Sequence, residues 1–274
     1  MPRVDIADLP LRRTLPFMRA PGPQERTASR VGIVGIPFDC GAHPLRVGAR
    51  LGPSAIREQS QLLRPFNPPD FDFDPLARLQ VADWGDVDVV PGQIEDAFAK
   101  IECVLDAVYA SGALPLTMGG DGAGTLPQIR AAQEGLVDVA HSLHAGIRGT
   151  FRMQGSLEHS DKLGYETILM REIESIGIAG LVARIRARCG SRPVYLCFDM
   201  DVFDPSCAPG VCAPSWGGLS AREGLAILRG IGGLNIVAVD VNTISPPHDV
   251  GGMSALLAAN VMLEGMLLFA QRPQ

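Results

Sequence analysis

Basic charge is in short supply in this chain. It has 24 Lys and Arg against 30 Asp and Glu, a net charge of −6, so nucleic acid and anionic membrane surfaces are poor partners. No apolar run is read as reaching transmembrane length, and Met1-Pro2-Arg3-Val4-Asp5 opens no signal-peptide core. None of the six cysteines forms a Cys-x-x-Cys pair, and most lie inside apolar runs. Reduced thiols in a cytoplasmic protein are therefore expected. No internal repeat and no low-complexity segment occurs.

What is present is apolar bulk. With 46% hydrophobic residues in 274, the chain can build one α/β domain around a large core. Residues 1–29 are rich in Pro and Arg and lack periodicity, so they read as an N-terminal arm. Residues 30–274 read as a single domain. Strand patterns at 30–37, 79–83, 114–118, 166–169, 193–199 and 235–241 alternate with helical ones at about 93–110, 172–189 and 254–269. Pro53 sits in the first turn of another helix, and Ser220 with Glu223 forms a capping box at the start of a further one. This alternation predicts a three-layer α/β/α fold with a mainly parallel sheet.

The strand ending Cys197-Phe198-Asp199-Met200-Asp201 carries the main chemical signal. Val194-Tyr195-Leu196 reads as buried strand, and Asp199 and Asp201, two residues apart, share one face. Carboxylates at the carboxyl end of a parallel strand lie where such sheets bind ligands, and hard oxygen donors suit Mn, Mg or Ni. A lone Asp-x-Asp also caps loops or pairs with basic side chains. Soft thiolates at Cys40, Cys197, Cys207 and Cys212 could hold zinc, although small buried cysteines more commonly just fill space.

Several phrases carry a resemblance. Gly35-Ile36-Pro37-Phe38-Asp39, Gly48-Ala49-Arg50 and Gly52-Pro53-Ser54-Ala55-Ile56-Arg57 resemble the agmatinase branch of the ureohydrolases, and the likeness runs almost to the C-terminus. Members of that family hydrolyse a guanidino C–N bond with hydroxide held between two metal ions. Against their pattern this chain departs in three places. Gly119-Gly120-Asp121-Gly122 stands where the family has Gly-Gly-Asp-His, so the ligand position is Gly122, while Asp121 matches a structural acceptor. The family's strand ending Asp-Ala-His-x-Asp has no counterpart. Thr125-Leu126-Pro127 runs directly into Gln128-Ile129-Arg130-Ala131-Ala132-Gln133-Glu134-Gly135-Leu136-Val137-Asp138, which resembles a later helix, so a strand, a loop and parts of two helices look deleted. Thr243 replaces the Glu that clamps guanidinium, a task a hydroxyl cannot perform. His141 and His144 precede the matching Gly146-Ile147-Arg148-Gly149 and are read as structural.

The resemblance thus implies a vestigial metal site, Asp199 and Asp201, with no catalytic residue assigned. It implies a silent subunit that binds no metal tightly alone and joins a metal-competent paralogue, which holds a Ni or Mn pair, in a trimer- or hexamer-type hetero-oligomer. Heteromeric ureohydrolases such as nickel-dependent metformin hydrolase pair subunits in this way. Two other readings stay open: an active agmatinase or guanidinobutyrase type with a reduced metal site, and a non-enzymatic small-molecule binding module.

Overall fold

Buried, β-branched runs build the centre of the molecule. The computed structural model describes residues 6–25, 28–40, 44–67, 70–90, 92–132, 137–151 and 153–273. Strands β1 (Leu11–Arg12), β2 (Val31–Ile36), β3 (Val81–Val87) and β4 (Leu114–Gly119) precede a short pair, β5 (Leu143–Ile147) and β6 (Glu166–Leu169). Strands β7 (Val194–Asp199) and β8 (Ile236–Asn242) follow. The main sheet has the order β1-β3-β2-β4-β8-β7 and is parallel except for β1. The residues read as an arm therefore supply an edge strand. They also bury Phe17, whose N–H donates to Asp83.

Helices cover both faces. On one side α1 (Gly52–Ser60), α6 (Met170–Cys189), α7 (Ala221–Gly230) and α8 (Met253–Ala270) enclose the larger core, which includes Leu116, Val239 and Val241 from the sheet. On the other side α3 (Ile94–Ala110) packs Ile101, Leu105 and Val108 against Val34, Ile36 and Trp84. Beside it lies α4 (Thr125–Ala132). Short helices α2 (Pro75–Arg78) and α5 (Ser156–Leu163) complete the set. At the first turn of α3 Ile94 is exposed, while Ala97 is buried in the core.

Helix α8 corrects the hydropathy reading. Its 18 residues, mean hydropathy 1.7, are long and apolar enough by composition to cross a membrane, yet 78% of it is buried inside the fold. A helix enclosed by α1, α7, α2 and two strands is apolar on nearly every face, and its buried Glu264 is paired with Arg229.

One ion-paired cluster went unread in the sequence. Arg57 of α1, with no exposed surface, donates to both Asp83 oxygens at 2.9 and 3.0 Å, to Asp86 and to the Gly85 carbonyl. Its charge is thereby paired in the core, and burial raises the Asp86 carboxyl against the pull of Arg57.

The deletion is visible in the sheet. β7 is an edge strand, half-exposed rather than buried as its composition suggested, because its only strand partner among the described residues is β8. β5 and β6 form a separate two-stranded parallel sheet. The junction phrase Gln133-Glu134-Gly135-Leu136 lies outside the described residues.

Candidate functional site

Three strand ends converge at the carboxyl side of the sheet. β4 and β7 both flank β8, so the turn after β4 and the Asp199 loop lie on either side of Asn242. The turn is held by Asp121, which is buried. It accepts from the N–H of Ala123 at 3.0 Å and of Cys40 at 2.7 Å. Gly120 is required there, since a Cβ would lie 1.6 Å from the Phe38 carbonyl oxygen. At Gly122, by contrast, a Cβ would meet only the Thr243 methyl at 4.0 Å, so space for a side chain remains.

Asp199 and Asp201 are close but not arranged by strand alternation. Asp199 ends β7 and caps a short 3-10 turn, Met200–Val202, by accepting from the Asp201 N–H at 2.8 Å. The same oxygen accepts from the Thr243 hydroxyl at 2.5 Å. Asp201 accepts from the Ala213 N–H at 3.0 Å through one oxygen, while its other oxygen is buried with no hydrogen-bond partner. Burial raises both carboxyls, and the Asp199 charge raises Asp201 further, to about 8. Arg148 does not neutralise them directly. Its guanidinium donates instead to the carbonyls of Asp201, Phe203 and Ser215.

Thr243 occupies the left-handed region at φ +72°, rare for a β-branched residue. Its N–H donates to Gly120 O at 2.7 Å and its carbonyl accepts from Cys212 N at 2.9 Å. These bonds hold it in a conformation that costs about 1–3 kcal/mol.

Sequence reasoning missed the polar centre of this site, Asp240. It is fully buried in β8 and accepts from the Thr125, Tyr195 and Asn242 side chains at 2.7, 3.2 and 2.9 Å. Thr117 approaches its other oxygen at 3.2 Å and Cys197 stands 3.7 Å away. The signal available was an Asp inside an otherwise apolar strand, since an ionised carboxylate is buried only with several donors around it. Asn242 leaves its amide oxygen buried and unpartnered.

The residues present do not fit a pair of divalent ions. Such a pair takes about six protein ligands with shared carboxylates. Among the described residues, no group of three or more His, Cys, Asp or Glu is placed to hold a metal. Asp199 already has two donors on one oxygen, and position 122 is glycine. The histidines lie elsewhere: His141 bonds Asp138 at 2.8 Å, and His144 stacks on Tyr165 with ring centroids 4.5 Å apart. The cysteines do not gather into a thiolate site either. Cys207 donates to the Asp204 carbonyl, and burial raises the thiols of Cys40, Cys197, Cys207 and Cys212.

Mainly parallel strands between two helical layers, with carboxylates and a Gly-Gly-Asp turn at the carboxyl ends, define an α/β protein of ureohydrolase architecture. The chain belongs to the arginase family, whose sequence profile matches residues 29–135 and 129–268. It is 33% identical to guanidinopropionase of Pseudomonas aeruginosa, over 98% of this chain and 96% of that protein. It is 34% identical to agmatinase of Neisseria meningitidis, over 94% and 91%. Proclavaminate amidinohydrolase from Streptomyces clavuligerus superimposes with a TM-score of 0.88 at 29% identity, covering 95% of this chain and 98% of that one.

These comparisons also carry the mark of the deletion. The profile matches in two pieces that meet at 129–135, within and just beyond α4. The guanidinopropionase alignment spans 306 positions, more than the whole 274-residue chain, so the relative has a few dozen positions without a counterpart here.

Proposed function

We propose that this arginase-family chain is a catalytically silent subunit of a hetero-oligomeric, metal-dependent hydrolase of guanidine or biguanide C–N bonds. It stabilises or completes a metal-competent paralogue that carries the Ni or Mn pair. The observation that supports this most is the state of the residues around Asp199. Its carboxylate is tied to Thr243 and to its own turn, the position of the ligand histidine is Gly122, and the substrate-clamping position is Thr243. Ligand, clamp and neighbouring strand are altered together. A single lost ligand could leave a weakened enzyme, whereas these losses remove hydroxide activation and substrate anchoring at once.

Co-expression with a paralogue bearing intact Gly-Gly-Asp-His and Asp-Ala-His-x-Asp tests the reading. The two chains should co-purify, with guanidine hydrolysis and bound metal in the mixture and neither in this chain alone. The names of the relatives favour the competing reading, an active amidinohydrolase acting on a guanidino acid or agmatine. Turnover of such a substrate by this chain alone, with about two metal ions retained after dialysis, would establish it instead.

A further inference from the structure

The carboxyl ends of β5 and β6 bring together two arginines, in the place where parallel strands usually present a ligand site. Strand β5 passes through Gly146 at φ +88° and is followed by Arg148 and by Gly149 at φ +81°. A Cβ at Gly146 would lie 2.7 Å from Val202 Cγ2, and one at Gly149 would collide with Ser215 Oγ. These two glycines let the end of β5 close onto the loops that follow β7. Arg148, between them, is fixed by backbone carbonyls. Its Nε donates to Ser215 O at 3.1 Å, and its Nη2 donates to the carbonyls of Asp201, Phe203 and Ser215 at 2.6, 2.9 and 2.8 Å. Strand β6 ends at Leu169 and runs directly into α6, which sets Met170 and Arg171 alongside.

These residues line a pocket of about 260 Å³. Its other walls are apolar, made by Phe151, Leu157, Leu169 and Met170, and none of the described lining residues is acidic. Leu157 comes from α5, which packs on β6. Among the described residues neither arginine forms an ion pair, and Arg148 Nη1 has no acceptor. Nearby carboxyls are committed elsewhere. Asp204 accepts from Ser206, Gly217 and Gly218, which hold it down to about 2, and Asp201 keeps its proton up to about pH 8. Glu172, next to Arg171, accepts from Leu169 N–H and pairs with Arg184. Burial pulls the Arg148 guanidinium below the usual arginine range, a cost that an anion beside it would offset.

We propose that this pocket binds a small organic monocarboxylate with a compact apolar body. The carboxylate lies between Arg148 Nη1 and Arg171, and the body packs against Phe151, Leu157 and Met170. Planar guanidinium forks select a carboxylate, while an inorganic anion would leave the apolar walls in water. The volume is below the roughly 300–1,000 Å³ of drug-sized sites, which limits the ligand to about ten non-hydrogen atoms. Neither Asp199 nor Asp201 lines the pocket, so the inference stands whether or not the chain is catalytically silent.

The test titrates the full chain by calorimetry with phenylacetate, its neutral counterpart phenylacetamide, and inorganic phosphate. Phenylacetate should bind once per chain with a Kd of about 1 mM or tighter, and the other two at least about tenfold more weakly. Arg171→Gln, at an exposed position with no ion pair to lose, should weaken phenylacetate about tenfold without altering thermal unfolding. Gly122→His, at the Asp199 site, should leave the Kd unchanged. Equal binding of phenylacetate and phenylacetamide overturns the proposal, as does equal binding by wild type and Arg171→Gln. Phosphate binding as tightly as phenylacetate overturns the assignment to an organic ligand. Failure of phenylacetate to saturate at millimolar concentrations overturns the site itself. Binding lost in Gly122→His but kept in Arg171→Gln would place the ligand at Asp199 and overturn it as well.

Discussion

Replacing Asp201 by Asn should stabilise this protein, and the sign distinguishes a metal-free pair of carboxylates from a working metal site. Burial and the Asp199 charge raise the Asp201 carboxyl from 3.8 to about 8. In the folded chain it therefore keeps its proton up to about pH 8, while the unfolded chain releases it near pH 4. Between those values the folded state binds more protons, so this group's contribution to stability falls as pH rises and levels off above pH 8. At 1.36 kcal/mol per pKa unit the shift caps the effect at about 6 kcal/mol. Partial solvent access and the shared titration with Asp199 reduce that to about 1–3 kcal/mol. The amide keeps an acceptor for Ala213 N–H and supplies a donor next to Asp199. Urea denaturation of wild type and Asp201→Asn at pH 4, 6 and 8.5 is the assay, because other titrating groups cancel in the difference. The variant should match wild type at pH 4 and exceed it by about 1–3 kcal/mol at pH 8.5. A variant less stable at pH 8.5 would refute the reasoning. So would a wild type whose midpoint rises sharply with Mn or Ni while the variant's does not.

Arg57→Met should lower stability by about 3–5 kcal/mol, since it leaves Asp83 and Asp86 buried without their cation; thermal unfolding checks this. Gly120→Ala should give little soluble protein, because its methyl group collides with the Phe38 carbonyl. Its expression relative to Gly122→Ala reads out the difference, as the latter meets open space. Gly122→His should fold within about 1 kcal/mol of wild type and still retain no metal pair after dialysis, since one restored ligand leaves the set far short of six. In the mixed complex, Asp199→Ala in this chain should leave most hydrolysis intact, while the equivalent change in the paralogue abolishes it.

Local chemistry made much of the fold legible. The helix at 94–110 follows from its spacing, the start of α7 from the Ser220–Glu223 box, and α1 from Pro53 in its first turn. Helix α8 was found where its apolar run lies, but the run is longer and more apolar than the sequence reading of no transmembrane-length stretch allowed, and it ends in a core. Only its neighbours decide that.

The amino-acid sequence by itself determined the strand–helix alternation, the Gly-Gly-Asp turn, the identities at 122 and 243, and the break after α4. Each is carried by residues close together in the chain. Tertiary structure decided what distant residues do to one another. It placed Arg57 on Asp83 and Asp86, gathered Thr125, Tyr195 and Asn242 around Asp240, and bound Thr243 to Asp199. It also decided how the missing strand is accommodated. A sequence shows that a strand is absent, but whether its neighbours close up depends on side chains and helices that hold them apart. Here Arg148 and Arg192 link the two sheets, while among the described residues β5 pairs with β6 and β7 with β8 rather than with each other.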